Sequence, residues 1–141
     1  PVFGQALKIL GMVPVHRDDP GKRKFALHDA ERLVKSGHSS YIFFFPEGTR
    51  SLNGNLLPFK KGAFVFAKRM KLPLVVVKVS GSNKVLPPRT LNIAPGRIRV
   101  EVVDTLRPES FADMDVDALC KQVRGMLENR PEGCQCGEAV A

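Results

Sequence analysis

The 141-residue sequence has no uninterrupted apolar stretch near the roughly 18 residues that a membrane-spanning helix needs. Its longest candidates, Tyr41–Pro46 and Leu72–Val77, are strand-sized. The first charge-free stretch is short and holds Gly4 and Gln5, so it does not read as a secretory signal peptide. The first residue is Pro1 rather than Met, and a natural start is expected further upstream. Cysteine is scarce. Cys134 and Cys136 form a lone C-x-C in a Gly-rich tail. A structural zinc site wants four ligands, commonly with wider spacing, and no second pair exists to complete one. With so few cysteines, a reducing compartment is the default. Internal repeats are absent, as is any linker that would separate two domains. The length suits one domain, expected over residues 1–129, with a frayed tail over 130–141.

Hydrophobic residues make up 43% of the chain, enough for a core. The formal net charge is +8 and unevenly spread. Residues 57–107 hold eleven Lys or Arg against Glu101 and Asp104, an excess of nine positive charges. Residues 108–141 carry four more acids than bases. A basic middle suits an anionic partner: nucleic acid, lipid headgroups or a phosphorylated small substrate. A solvated basic surface explains the same charge, and composition does not choose among these. A basic nucleic-acid-binding module is disfavoured on other grounds. Phe43–Phe45 and Phe64–Phe66 sit in apolar runs expected to be buried, not on a stacking platform, and no nucleic-acid signature is present.

Periodicity gives the elements. Residues 2–10 read as a short helix ended by Gly11, and Met12–His16 as an extended run. A helix over about 22–36 puts Ala26, Ala30, Leu33 and Val34 on one face, with Gly37 as its stop. Ser40–Phe45 is a continuous aromatic and β-branched run, expected to be a strand buried on both faces and ended by Pro46. Residues 46–61 read as a loop and 62–70 as a helix. Leu74–Val79 is expected to be a second buried strand, followed by a polar loop over residues 80–96. Arg97–Val103 alternates, with Ile98, Val100 and Val102 on one face, as a half-exposed edge strand does. Asp113 or Asp115 is expected to cap a last helix with Val116, Leu119, Cys120, Val123, Met126 and Leu127 on one face. Helices alternating with buried strands indicate an α/β domain with a mixed, mostly parallel sheet flanked by helices.

The segment richest in chemistry is Phe45-Pro46-Glu47-Gly48-Thr49-Arg50-Ser51. It sits where the expected strand stops, the edge at which open α/β sheets bind ligands. Gly48 permits a positive φ and a close backbone approach. Arg50 offers a planar fork for phosphate oxygens. Glu47 can hold Arg50 or accept a hydrogen bond from a substrate hydroxyl. A strand–loop corner stapled by a Glu47–Arg50 ion pair fits the same residues without any ligand.

This seven-residue block resembles the FPEGTRS block of the glycerol-3-phosphate and 1-acylglycerol-3-phosphate (lysophosphatidate) acyltransferases. Neighbouring segments agree in order and spacing. Gly11–Arg17 is similar to the family's G-x-x-x-x-x-R block, and Pro58–Phe64, which contains Lys60 and Lys61, to its F-K-x-G stretch. Leu72–Val77, followed by Gly81, resembles its proline-bearing strand, with Val76 where a second proline is common. The resemblance covers about residues 1–110.

The resemblance implies acyl transfer from acyl-CoA or acyl carrier protein to a lysophospholipid acceptor, most simply 1-acylglycerol-3-phosphate, giving phosphatidate. It implies no metal or redox cofactor and no nucleic acid. It implies work at a membrane surface, expected on the cytoplasmic face. Arg17 and Arg50 would bind the acceptor phosphate, with Lys60 or Lys61 adding positive potential. Glu47 would organise Arg50 and the acceptor glycerol, and Gly48 and Thr49 would shape the turn. The family's base is a histidine in an H-x4-D dyad. Here the residues five after His16, His28 and His38 are Gly21, Leu33 and Phe43, so no dyad exists. The dyad is expected upstream of Pro1, and this chain alone is expected to be inactive. A non-catalytic scaffold that keeps the phosphate site is the remaining alternative. His16 has no acid at dyad spacing, and His28 and His38 are expected to be solvated.

Overall fold

The computed structural model describes residues 20–37, 41–88, 90 and 92–129. The expected helix over 2–10, the run Met12–His16, Arg17, His38 and the tail over 130–141 lie outside them. The chain divides into two compact units, Pro1–Phe44 and Phe45–Ala141.

In the first unit, helix α1 spans Pro20–Lys35. Proline at a helix start costs nothing, because the first amides have no intrahelical acceptor. Ala26 and Ala30 are buried on the expected face, and His28 is exposed. Gly37 closes the helix with φ 70°, its amide donating to the Val34 carbonyl.

The second unit begins with an exposed segment, then α2 (Gly62–Met70), β1 (Leu74–Ser80), the single turn α3 (Ser82–Val85), β2 (Arg99–Leu106), the single turn α4 (Pro108–Phe111) and α5 (Val116–Glu128). Asp115 caps α5, accepting a 2.9 Å hydrogen bond from the Asp117 amide, which settles the choice between Asp113 and Asp115. Every apolar residue expected on that helix face packs inward. Leu119 and Val123 are buried, and Val116, Cys120, Met126 and Leu127 pack around the core. The core joins them to Phe64 of α2, Val76 of β1, Leu106 of β2 and Phe111 of α4. Full burial of a side chain such as Leu119 or Phe111 stabilises by about 1.5–3 kcal/mol.

Three points about the strands bear on the expectations. First, the ladder among the described residues joins β1 to β2 as an antiparallel pair, which the expected mixed sheet admits, with Leu74 opposite Leu106 and Ser80 opposite Arg99. The connection between them carries only the four-residue α3, whereas a parallel crossover is usually built on a full helix packed on the sheet. The register shifts between Val76 and Val77, at a bulge. Second, β1 is not buried on both faces. Val76 lies in the core, but Val75 is 54% exposed, and Val77 and Val79 are exposed on the same side. Val100 and Val102 stand opposite Val79 and Val77, so the alternation read in β2 holds, but its apolar side faces solvent. Third, Tyr41–Phe45 lies outside the described ladder, with Phe43 84% and Phe45 80% exposed. An apolar run marks a buried strand only when other strands and layers reach it. Its composition cannot say whether they do.

Candidate functional site

The Phe45–Ser51 block opens with a tight turn over Phe45–Gly48. The Gly48 amide donates to the Phe45 carbonyl at 3.0 Å, putting Pro46 and Glu47 at the two central positions. Gly48 has φ 69°, and a Cβ there would stand 2.8 Å from Lys60 Nζ. Glycine is therefore favoured by the left-handed backbone, and a side chain there would also have to displace the end of Lys60. The turn is tied to the chain's return. The Lys60 amide donates to the Pro46 carbonyl at 2.8 Å, and the Leu57 amide donates to Glu47 Oε2 at 2.8 Å.

Glu47 thus holds the far side of its own loop. No ion pair joins it to Arg50 among the described residues, so the corner is not stapled in the way the sequence allowed. Arg50 is exposed and lines an open cleft of about 500 Å³ with Thr49, Leu52, Asn53, Leu57 and Pro88. Lys60 stays against the turn through its contact at Gly48.

Lys61 goes elsewhere. Its ammonium lies 2.6 Å from an Asp117 carboxylate oxygen on α5. That hydrogen bond, and then the attraction of the same carboxylate, raises the Lys61 pKa. Lys61 therefore joins α2 to α5 instead of adding to the positive potential over the cleft. Arg17 lies outside the described residues, so its expected partnership with Arg50 does not enter this geometry.

Sequence reading missed Arg124. From α5 its Nη1 donates to the Leu57 carbonyl at 2.7 Å and its Nη2 to the Leu56 carbonyl at 3.1 Å. Nη2 also lies 2.7 Å from Glu128, and the guanidinium sits over the Phe59 ring. Arg124 is 67 residues from Leu57 and stands beside an apolar stripe, where a charge reads as rim. Gly81, named from the sequence only as part of the family's strand block, has φ 80°, and a Cβ would stand 2.2 Å from the Arg97 carbonyl oxygen, so the β1–β2 connection admits no side chain there. Among the described residues no group of three or more His, Cys, Asp or Glu side chains is placed to hold a metal ion.

The acyltransferase family model matches residues 1–80, more than half of the chain. The chain belongs to the acyltransferase family. Acyltransferase-family relatives agree along most of its length. It is 38% identical over 128 residues to the chloroplastic 1-acyl-sn-glycerol-3-phosphate acyltransferase BAT2 of Brassica napus, covering 90% of this chain and 35% of that one. It is 36% identical over 121 residues to the 1-acyl-sn-glycerol-3-phosphate acyltransferase alpha of Ovis aries, covering 86% and 42%. The crystal structure of the 1-acyl-sn-glycerophosphate acyltransferase PlsC from Thermotoga maritima superposes with a TM-score of 0.62 at 27% identity, covering 73% of this chain and 41% of that one. The α/β acyltransferase fold is therefore shared. The chain spans less than half the length of these relatives.

Proposed function

We propose that the protein carrying this chain moves a fatty acyl group from acyl-CoA or acyl carrier protein to 1-acylglycerol-3-phosphate, giving phosphatidate. One observation carries this reading: the complete FPEGTRS turn presents an unengaged Arg50 to an open cleft, in a chain whose relatives are named for this reaction. Arg50 binds the acceptor phosphate, and Lys60, held at Gly48, adds positive potential beside it. Arg17 supplies a second guanidinium. Glu47 keeps Oε1 for the acceptor glycerol while Oε2 holds the Leu57 amide. Thr49 and Gly48 shape the turn. The base that takes the acceptor's hydroxyl proton comes from an H-x4-D segment, which these 141 residues do not contain. The resulting alkoxide attacks the thioester carbonyl, and the tetrahedral oxyanion collapses with loss of the thiolate.

The acceptor and product are amphiphiles, so the protein works at a membrane surface, on its cytoplasmic face. Among the described residues no helix is long and apolar enough to cross a membrane. The excess positive charge of residues 57–107 supports contact with anionic lipid. The test is thiol release from acyl-CoA with 1-acylglycerol-3-phosphate as acceptor. The chain alone should give background turnover, and the same chain extended by an upstream H-x4-D segment should give turnover that Arg50→Ala abolishes or sharply reduces. Turnover by the chain alone would require a different base.

A further inference from the structure

Leu57 is gripped from two sides. Its amide donates to Glu47, its carbonyl accepts from Arg124, and the residue lines the cleft with Arg50. Arg124 makes no part of that cleft's lining. It reaches Leu56 and Leu57 from behind, holding two successive carbonyls while Glu128 and the Phe59 ring fix the guanidinium. Phe59 in turn stacks on Phe64 of the core, with ring centroids 6.2 Å apart. The Glu47–Lys60 loop is thus anchored to the core at Phe59 directly and, at Leu56 and Leu57, through the Arg124 guanidinium. A planar fork with five donors suits two carbonyls and a carboxylate from one position better than the three donors of a lysine ammonium.

We propose that Arg124 is a positioning residue for the acceptor site. It fixes the Leu56–Leu57 main chain, which fixes the Leu57 amide, which fixes Glu47 and the turn that presents Arg50. The proposal rests on the reading of Arg50 as the phosphate ligand and adds to it a dependence on the C-terminal helix.

The experiment titrates the full chain with sn-glycerol 3-phosphate, followed by amide spectra, in four variants. Arg50→Ala should weaken binding about tenfold or more, the loss of one charge-assisted contact. Arg124→Leu should weaken it by about fivefold to tenfold, since a displaced site loses alignment without losing a ligand. It should also shift the Leu57 amide resonance as the bond to Glu47 loosens. Val123→Ala removes core volume from the same helix without touching the loop, and should lower the melting temperature while leaving affinity within about twofold. Arg124→Lys keeps the charge but not the fork, and should fall between Arg124→Leu and the unaltered chain in both readouts. If Arg124→Leu does not fold, the lysine variant carries the test. Unchanged affinity and an unmoved Leu57 resonance in the Arg124 variants, with Arg50→Ala weakened, would overturn this proposal alone. An equal loss in Val123→Ala would reduce Arg124 to a stability effect and also overturn it. Absence of saturable binding by the unaltered chain, or no loss in Arg50→Ala, would remove the site reading and this inference with it.

Discussion

Lys61 and Asp117 form an ion pair at 2.6 Å that joins the start of α2 to the first turn of α5. Lys60, its neighbour in sequence, stays at the turn that bears Arg50. Two adjacent lysines in a basic motif therefore do different work. Lys61→Met should lower the melting temperature while leaving sn-glycerol 3-phosphate affinity within about twofold, the small effect expected of a cation already neutralised by its partner. Lys60→Met should do the reverse. Parallel thermal melts and titrations of the two variants decide the assignment, and a large affinity loss in Lys61→Met would return it to the site.

Gly48→Ala should destabilise the chain by about 1–2 kcal/mol through the left-handed backbone alone. The clash with Lys60 adds to that, although a flexible lysine can move aside. In Gly48→Ala/Lys60→Ala the clash disappears but the backbone strain stays. Denaturant midpoints around this double-mutant cycle should show partial rescue. Full rescue would mean that the positive φ costs nothing here.

The pH profile of stability should have two limbs. The Asp115 carboxylate accepts the Asp117 amide hydrogen bond, which lowers its pKa from the ordinary 3.8. Its contribution is complete above that unfolded value and is lost as pH falls through the lower folded one. The raised Lys61 pKa works in the opposite sense: its contribution is complete below 10.5 and is lost as pH rises through the folded value. Burial also raises the Cys120 thiol's pKa from the ordinary 9.0, so thermal melts should hold a plateau only up to about that pH, above which Cys120 and then Lys61 shape the alkaline limb. Asp115→Ala should flatten the acid limb, and Lys61→Met the part of the alkaline limb above 10.5. An acid limb unchanged in Asp115→Ala would show that the cap does not carry it.

Leu119 is fully buried where α5 meets the core. Leu119→Ala should cost about 2–5 kcal/mol, according to how far the site collapses around the vacancy. Equilibrium urea unfolding measures it, and a loss below about 1 kcal/mol would mean that α5 is not part of the cooperative unit.

Binding to membranes should depend on charge and salt. A Lys or Arg near anionic lipid is worth about 1 kcal/mol, and the attraction fades within a Debye length of roughly 8 Å at physiological salt. Co-sedimentation should show binding to anionic vesicles that weakens with added salt, and little to neutral ones. Equal binding to both, unchanged by salt, would exclude the basic middle as the contact.

Local signals carried far in this chain. The face of α5, the stop at Gly37, the span Gly62–Met70 and the glycine at 48 follow from periodicity and backbone sterics acting within a few residues. The FPEGTRS block was legible as a short continuous stretch that resembles a family motif, and its local chemistry alone fitted a plain strand–loop corner as well. The tertiary structure alone decided how distant segments meet. Nothing near Lys61 says that Asp117 will neutralise it, and nothing near Arg124 says that it will grip Leu56 and Leu57. The apolar runs at Tyr41–Phe45 and Val75–Val79 show the converse limit: hydrophobicity states what a segment would gain by burial, and only the neighbours that the chain brings to it decide whether burial happens.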